Sequence, residues 1–181
     1  MRELAAWLQA TPVSETIQAV GWVIPLLQSI HIVTIGVVFV SSLMIALRIL
    51  GRMRADEPFA AVWCRFAPWM WGGLVVMSVT GLLLVAGEPV RELTALSFWI
   101  KMTLLALVVV GTAVFGRSLR PTAPAASPEF SATAKAAAVG IVLLWLAVIF
   151  LGRAIAYNTE VWGSLSLHAK SFPVTQANAW I

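Results

Sequence analysis

Residues 29–50 read SIHIVTIGVVFVSSLMIALRIL. Apart from a histidine near one end and an arginine near the other, this run is apolar or small throughout. Eighteen or more such residues with few charges read as a membrane span. The whole 181-residue chain shares this character: 60% of it is hydrophobic and only 11% is charged, where soluble domains carry about 25% charged residues. Four runs qualify as spans, at about 23–50, 69–86, 98–116 and 136–157. Each is long enough for a hydrocarbon core about 30 Å thick at about 1.5 Å per residue. Lipid satisfies no backbone polar group, so a span is a helix or part of a closed barrel. These runs do not alternate as barrel strands do. The expected architecture is therefore all-α, an integral-membrane four-helix bundle in one domain covering residues 1–181.

Charge sets the expected orientation, because Lys and Arg mark cytoplasmic loops. Arg48, Arg52, Arg54 and Arg65 flank the first loop, and Arg117, Arg120 and Lys135 flank the third. The opposite side holds Arg2, Arg91 and Lys170, with Lys101 and Arg153 inside helix ends, and five of the eight acids. Both termini are thus expected on the periplasmic side of a bacterial inner membrane, with 117–135 a cytoplasmic linker rich in Pro, Ala and Ser. Residues 2–18 read as an amphipathic approach helix, with Ser14 as an N-cap after Pro12. They do not read as a cleavable signal peptide. The tail, 158–181, reads as interfacial, with Trp162 and Trp180 at the membrane boundary. Trp22 and Trp99 read as outer belt residues, Trp63 and Trp69 as inner ones, and Trp145 as core. Pro25 and Pro68 are expected near helix ends, where a break costs least.

The basic residues form no stripe interleaved with aromatics, so nucleic acid is not an expected partner. The single Cys64 allows no intrachain disulfide framework. HExxH, a Walker loop, CxxC, CxxCH and paired intramembrane carboxylates are all missing from the sequence.

Depth is countable from the cytoplasmic cations. His31 lies 17 residues from Arg48, about 25 Å along a helix. Lys101 lies 16 residues from Arg117 and Arg153 lies 18 from Lys135, about 24 and 27 Å. Three ionisable groups on three helices therefore share one level near the outer edge of the core. At the same level, Gly81 on the second span would let a flat ligand or a neighbouring helix come close. Gln28, His31 and Thr34 share one helix face, and polar groups at membrane depth face the bundle interior or a wet cavity. Tyr157, four residues after Arg153, adds a hydroxyl over the same face. No acid lies inside the spans to pair with these cations.

Plain alternatives stand beside this. A membrane histidine that only hydrogen-bonds a neighbouring helix contributes about 0.6 kcal/mol. Lys101 and Arg153 could be snorkelling cations, and His168 a solvated surface imidazole.

Three segments carry a resemblance: SIHIVTIGVVFVSSLMIALRILG at 29–51, FWIKMTLL at 98–105 and LGRAIAY at 151–157. They resemble a family of four-helix bacterial inner-membrane proteins known only as a domain of unknown function. The resemblance covers about residues 20–157. It implies that the family's histidine, its helix-three lysine and its helix-four GR correspond to His31, Lys101, and Gly152 with Arg153. A fainter similarity is to CopD-type copper-resistance membrane proteins, from which this chain departs in having few histidines and no Met-rich outer motif.

Three functions are compatible with these residues. The first is redox. His31 would ligate a b-type haem, with Lys101, Arg153 and Tyr157 on the propionates and Gln28 and Gly81 beside the ring. The second axial ligand would be His168, Met77, Met102, the His31 of a second copy, or none. The same cluster could instead meet a quinone headgroup, with His31 donating to a carbonyl. The second function is a non-enzymatic module that binds or transports a small anion or a metal. The third is a structural subunit of a larger membrane complex, or a homo-oligomer, packed through Gly36, Gly73, Gly111 and Gly140.

Overall fold

The computed structural model describes residues 2–119 and 130–155. Seven helices occur among them: α1 (Arg2–Gln9), α2 (Pro12–Ala19), α3 (Val23–Ile49), α4 (Phe59–Gly87), α5 (Pro89–Thr94), α6 (Leu96–Leu119) and α7 (Ala132–Ala154). Helices α3, α4, α6 and α7 are long and apolar enough to cross a membrane, as befits a multi-pass membrane protein. No strand occurs among the described residues. Helix α3 packs against α4 and α7, and α6 packs against α7.

Each long helix buries a seam spaced alternately three and four residues apart. On α3 it runs Thr34, Val38, Ser41, Ile45, Arg48, and on α4 Trp63, Ala67, Met70, Leu74, Met77. On α7 it runs Ala134, Ala138, Ile141, Trp145, Val148, and on α6 Leu105, Val108, Thr112, Phe115. This is the heptad spacing that lets left-handed helices interlock side chains in layers. The innermost of these side chains include Val38, Met70, Val108 and Trp145, all at most 1% exposed. Trp145 is a core residue, as its depth implied.

Small residues let the helices close. A Cβ on Gly73 would stand 2.7 Å from Val38 Cγ2, so α3 and α4 touch there through a missing side chain. Gly116 on α6 does the same for Trp63 of α4, whose ring fills the space a Cβ would need. Trp63 is accordingly buried in the bundle and is not a belt residue, whereas Trp69 and Trp22 are exposed. Gly36, Gly111 and Gly140 face open space.

Several helix boundaries differ from the expected ones. Residues 2–19 form two helices, because Thr11 ends the first and starts the second. Its hydroxyl donates to Leu8 O at 2.6 Å and accepts from the Ser14 amide at 3.4 Å. Thr11 is therefore the N-cap, with Pro12 at the position where a missing N–H costs nothing. Ser14 is instead fully buried and accepts from Gln18 Nε2 at 2.8 Å. Helix α4 begins ten residues before the expected span, so Pro68 lies inside it. Its 29 residues extend about 44 Å, well past the apolar core. Helix α6 runs on to Leu119 and α7 begins at Ala132, so both extend into the expected linker. Helix α3 ends in a left-handed glycine, Gly51 at φ 68°, with Arg52 N–H on Leu47 O at 3.0 Å and Gly51 N–H on Arg48 O at 3.2 Å. That paired bond is the Schellman stop.

At the Arg48 end, the arginine that marked a loop is itself buried. Its Nε donates to Glu57 O at 2.7 Å, and its guanidinium lies 5.8 Å from the Phe130 ring centre. Glu57 in turn pairs with Arg54 and with Arg65. At the other end α1 packs against α5, and α2 against α4, with Ala5, Leu93, Ala95, Phe98 and Ile155 clustered together.

The two classes of glycine give opposite expected outcomes. Gly116→Ala forces the rigid Trp63 ring aside, and overpacking of this kind costs about 1–3 kcal/mol. Gly72, which faces open space, should gain about 0.5–1 kcal/mol of helix stability as Ala. Thermal unfolding in one detergent should rank Gly72→Ala at or above the parent and Gly116→Ala clearly below it.

Candidate functional site

The outermost layer of the bundle continues the same seams. One step beyond Thr34 on α3 comes His31, and one step beyond Met77 on α4 come Thr80 and Gly81. Beyond Val148 on α7 comes Gly152, and on α6 the seam position is Lys101. This layer therefore alternates large basic side chains with glycines. The His31 ring rests on Gly81, where a Cβ would lie 3.3 Å from Cε1 and 3.9 Å from Nδ1. The Lys101 chain rests on Gly152, where a Cβ would lie 3.7 Å from Nζ and 3.8 Å from Cε. The close approach that Gly81 permits is thus that of the imidazole itself.

His31 Nδ1 lies 2.8 Å from Thr80 Oγ1, a hydrogen bond between α3 and α4. The Thr80 hydroxyl also lies 2.9 Å from Val76 O and 3.2 Å from Met77 O of its own helix. Thr80 is buried, while His31 and Lys101 are half-buried. The Lys101 ammonium is near enough to act electrostatically on His31. His31, Gly81 and Lys101 thus lie at one level of the bundle.

Other expected members lie differently. Arg153 directly follows the seam residue Gly152, so it is turned about 100° around the helix and its side chain is exposed. Gln28 is half-buried, one turn before His31. Of the two methionines, Met77 is buried one turn below Thr80, and Met102 is exposed. Tyr157 and His168, like Trp162, lie outside the described residues.

Sequence reasoning missed two members. Thr80 is the partner of His31, and its signal was its place at the same depth as Gly81. The other is Glu92 on α5. No acid lies in a span, but α5, the short helix joining α4 to α6, brings the Glu92 carboxylate within electrostatic reach of Lys101. Burial pushes the Glu92 carboxyl above its ordinary range, with Glu88 adding to the rise and Lys101 and Arg91 opposing it. Arg91 and Glu88 pair at 2.8 Å on the exposed side of the same helix.

The sign of this shift is testable. A carboxyl whose pKa is higher in the folded chain favours folding while protonated in both states. That advantage is lost as pH rises from the unfolded value, about 4.5, through the folded one. Melting temperature should therefore fall over that window in the parent. Glu92→Gln should remove that part of the fall, as measured by thermal unfolding across a pH series.

The match to known families follows the same residues. No curated protein and no solved structure matches the chain, and the similarity to CopD-type proteins is not shown. One family model matches over residues 13–158, a range that holds all four spans and the whole His31, Thr80, Gly81, Lys101 and Gly152 layer. The chain belongs to that family, the family of unknown function DUF6644.

Proposed function

We propose that this chain is a multi-pass protein of the bacterial inner membrane that holds a redox cofactor at the layer containing His31, with b-type haem as the occupant. The observation that carries the reading is the anchored imidazole. A histidine that binds a metal through one ring nitrogen almost always hydrogen-bonds through the other, and that bond fixes the ring's orientation. His31 has such a bond through Nδ1 to Thr80.

Two further features favour haem over a bare ion. Among the described residues no three His, Cys, Asp or Glu side chains cluster as a metal cage. A porphyrin supplies four of the iron's ligands itself and asks the protein for one or two. Lys101, on the same layer, offers a cation for a propionate, and Arg153 lies one residue beyond its glycine contact. When bound, haem would supply one-electron transfer. His31 would hold the iron, and Lys101 would orient the macrocycle's acidic edge.

A quinone is the second reading, favoured by the same cation: the Lys101 ammonium would donate to a quinone carbonyl. The small-anion and accessory-subunit readings use the same pocket or the open faces of Gly36, Gly111 and Gly140.

The orientation belongs to this proposal. The cation bias puts the 50–58 loop in the cytoplasm and the α5 end in the periplasm. In a Cys64→Ser background, Gly21→Cys in intact cells should react with a membrane-impermeant thiol reagent. Asp56→Cys should react only after permeabilisation. The reverse pattern would mean the opposite topology.

The cofactor is tested by colour. Protein prepared with haem available should show a Soret band that shifts on reduction. His31→Ala should abolish the band while the protein still inserts and melts cooperatively. Lys101→Ala should loosen haem retention without removing the axial bond. A colourless parent protein overturns the haem reading and leaves the quinone, anion and accessory readings standing.

A further inference from the structure

We infer that Thr80 is a positioning residue that keeps the proton of His31 on Nδ1, so that the ligand-facing nitrogen, Nε2, offers a lone pair. The group bound there must then be an electron-pair acceptor, such as haem iron, or a hydroxyl donor, such as a quinol. A carbonyl or a carboxylate does not suit it. The choice of occupant rests on the cofactor reading above, but the position of the proton does not.

The inference comes from counting protons around Thr80. A neutral imidazole carries one N–H, and a hydroxyl has one proton to give. The Thr80 hydroxyl has two carbonyl acceptors in its own helix, Val76 O at 2.9 Å and Met77 O at 3.2 Å. A threonine in a helix commonly gives its proton to the carbonyl four residues back. The contact of 2.8 Å between Thr80 Oγ1 and His31 Nδ1 then needs its proton from the ring. A bare Nδ1 would confront an oxygen lone pair of Thr80 with no proton between them, and a protonated Nδ1 supplies that proton.

Ring orientation supplies the rest. Of the imidazole atoms, only Cε1 and Nδ1 come within 4 Å of the Cβ position on Gly81. The Nδ1–Cε1 edge therefore lies against α4, and Nε2 is turned away from it. Among the described residues no hydrogen bond to Nε2 occurs. An acceptor ligand such as a quinone carbonyl would have to find its donor at Lys101 instead.

The chain has only two histidines, which makes the proton directly measurable. Imidazole 15N spectra would be recorded on cofactor-free, histidine-labelled protein in detergent at mildly alkaline pH, where imidazole is neutral. The resonances lost in His31→Ala identify His31. The expected result is a protonated Nδ1 and a bare Nε2, retained in Thr80→Ser and shifted towards the other tautomer in Thr80→Val. In haem-loaded protein, Thr80→Val should also raise the midpoint potential, because an imidazole that loses its Nδ1–H bond donates less strongly to iron. Thr80→Ser should not. Parent protein with its proton on Nε2 overturns the inference, whatever the variants do. A tautomer and a potential both unchanged in Thr80→Val overturn the role of Thr80. The expected tautomer in a colourless protein supports this inference while removing haem, so the two failures are separable.

Discussion

The outer layer of this bundle is held by one constraint: two basic side chains must be accommodated where the other layers hold mostly apolar groups. The fold meets it by removing side chains opposite them. His31 occupies the space left by Gly81, and Lys101 the space left by Gly152. Hydrocarbon provides no water for a stranded imidazole, so its nitrogen bonds across to Thr80 on the next helix. The same alternation of large and small recurs lower down, where Val38 fills the gap at Gly73 and Trp63 the gap at Gly116. What distinguishes the outer layer is that its large members are polar, and polar groups at that depth face a partner or a ligand.

Much of this was legible before any coordinates. Four apolar runs announced four helices, and a rise of about 1.5 Å per residue placed His31 and Lys101 at one level. Depth alone could not give direction around a helix. Gly152 and Arg153 are equally deep, yet the glycine meets Lys101 and the arginine is exposed, because consecutive residues diverge by about 100°. Continuing the heptad seam from Trp145 through Val148 selects Gly152 and passes over Arg153. Glu92 escaped for a different reason. An inventory of acids within the spans omits the short helix that joins α4 to α6, and Glu92 acts on Lys101 from there. The start of α4 was hidden because Arg65 and Pro68 interrupt its hydropathy without interrupting the helix.

The opposite end shows the limit of treating arginines only as topological markers. Arg48 is 3% exposed, and it ties the end of α3 to the following loop through Glu57 O and to the start of α7 through Phe130. Its charge is held by a carbonyl and an aromatic face, both weaker than a carboxylate in formal charge but fixed in place. The Glu57 carboxylate is engaged elsewhere, with Arg54 and Arg65. One loop residue thus serves three cations: its backbone oxygen serves the buried one, and its side chain serves the two nearer water.

The pairing of helices gives the outer layer its particular character. His31 is anchored within the α3–α4 pair, and Lys101 rests within the α6–α7 pair. Each basic group therefore belongs to a different hairpin, and they meet only because the hairpins associate, chiefly through α3 and α7. Two basic groups brought together in this way gain nothing from one another. Their proximity is offset by the packing of the apolar layers beneath and, for Lys101, by the Glu92 carboxylate above. An electron-accepting centre on Nε2 of His31 with an acidic edge on Lys101 would add one favourable contact to each hairpin and join the two at this layer. A ligand that binds only the assembled state stabilises it by mass action. Stability of the hairpin association and occupancy of the His31 layer are then one coupled equilibrium.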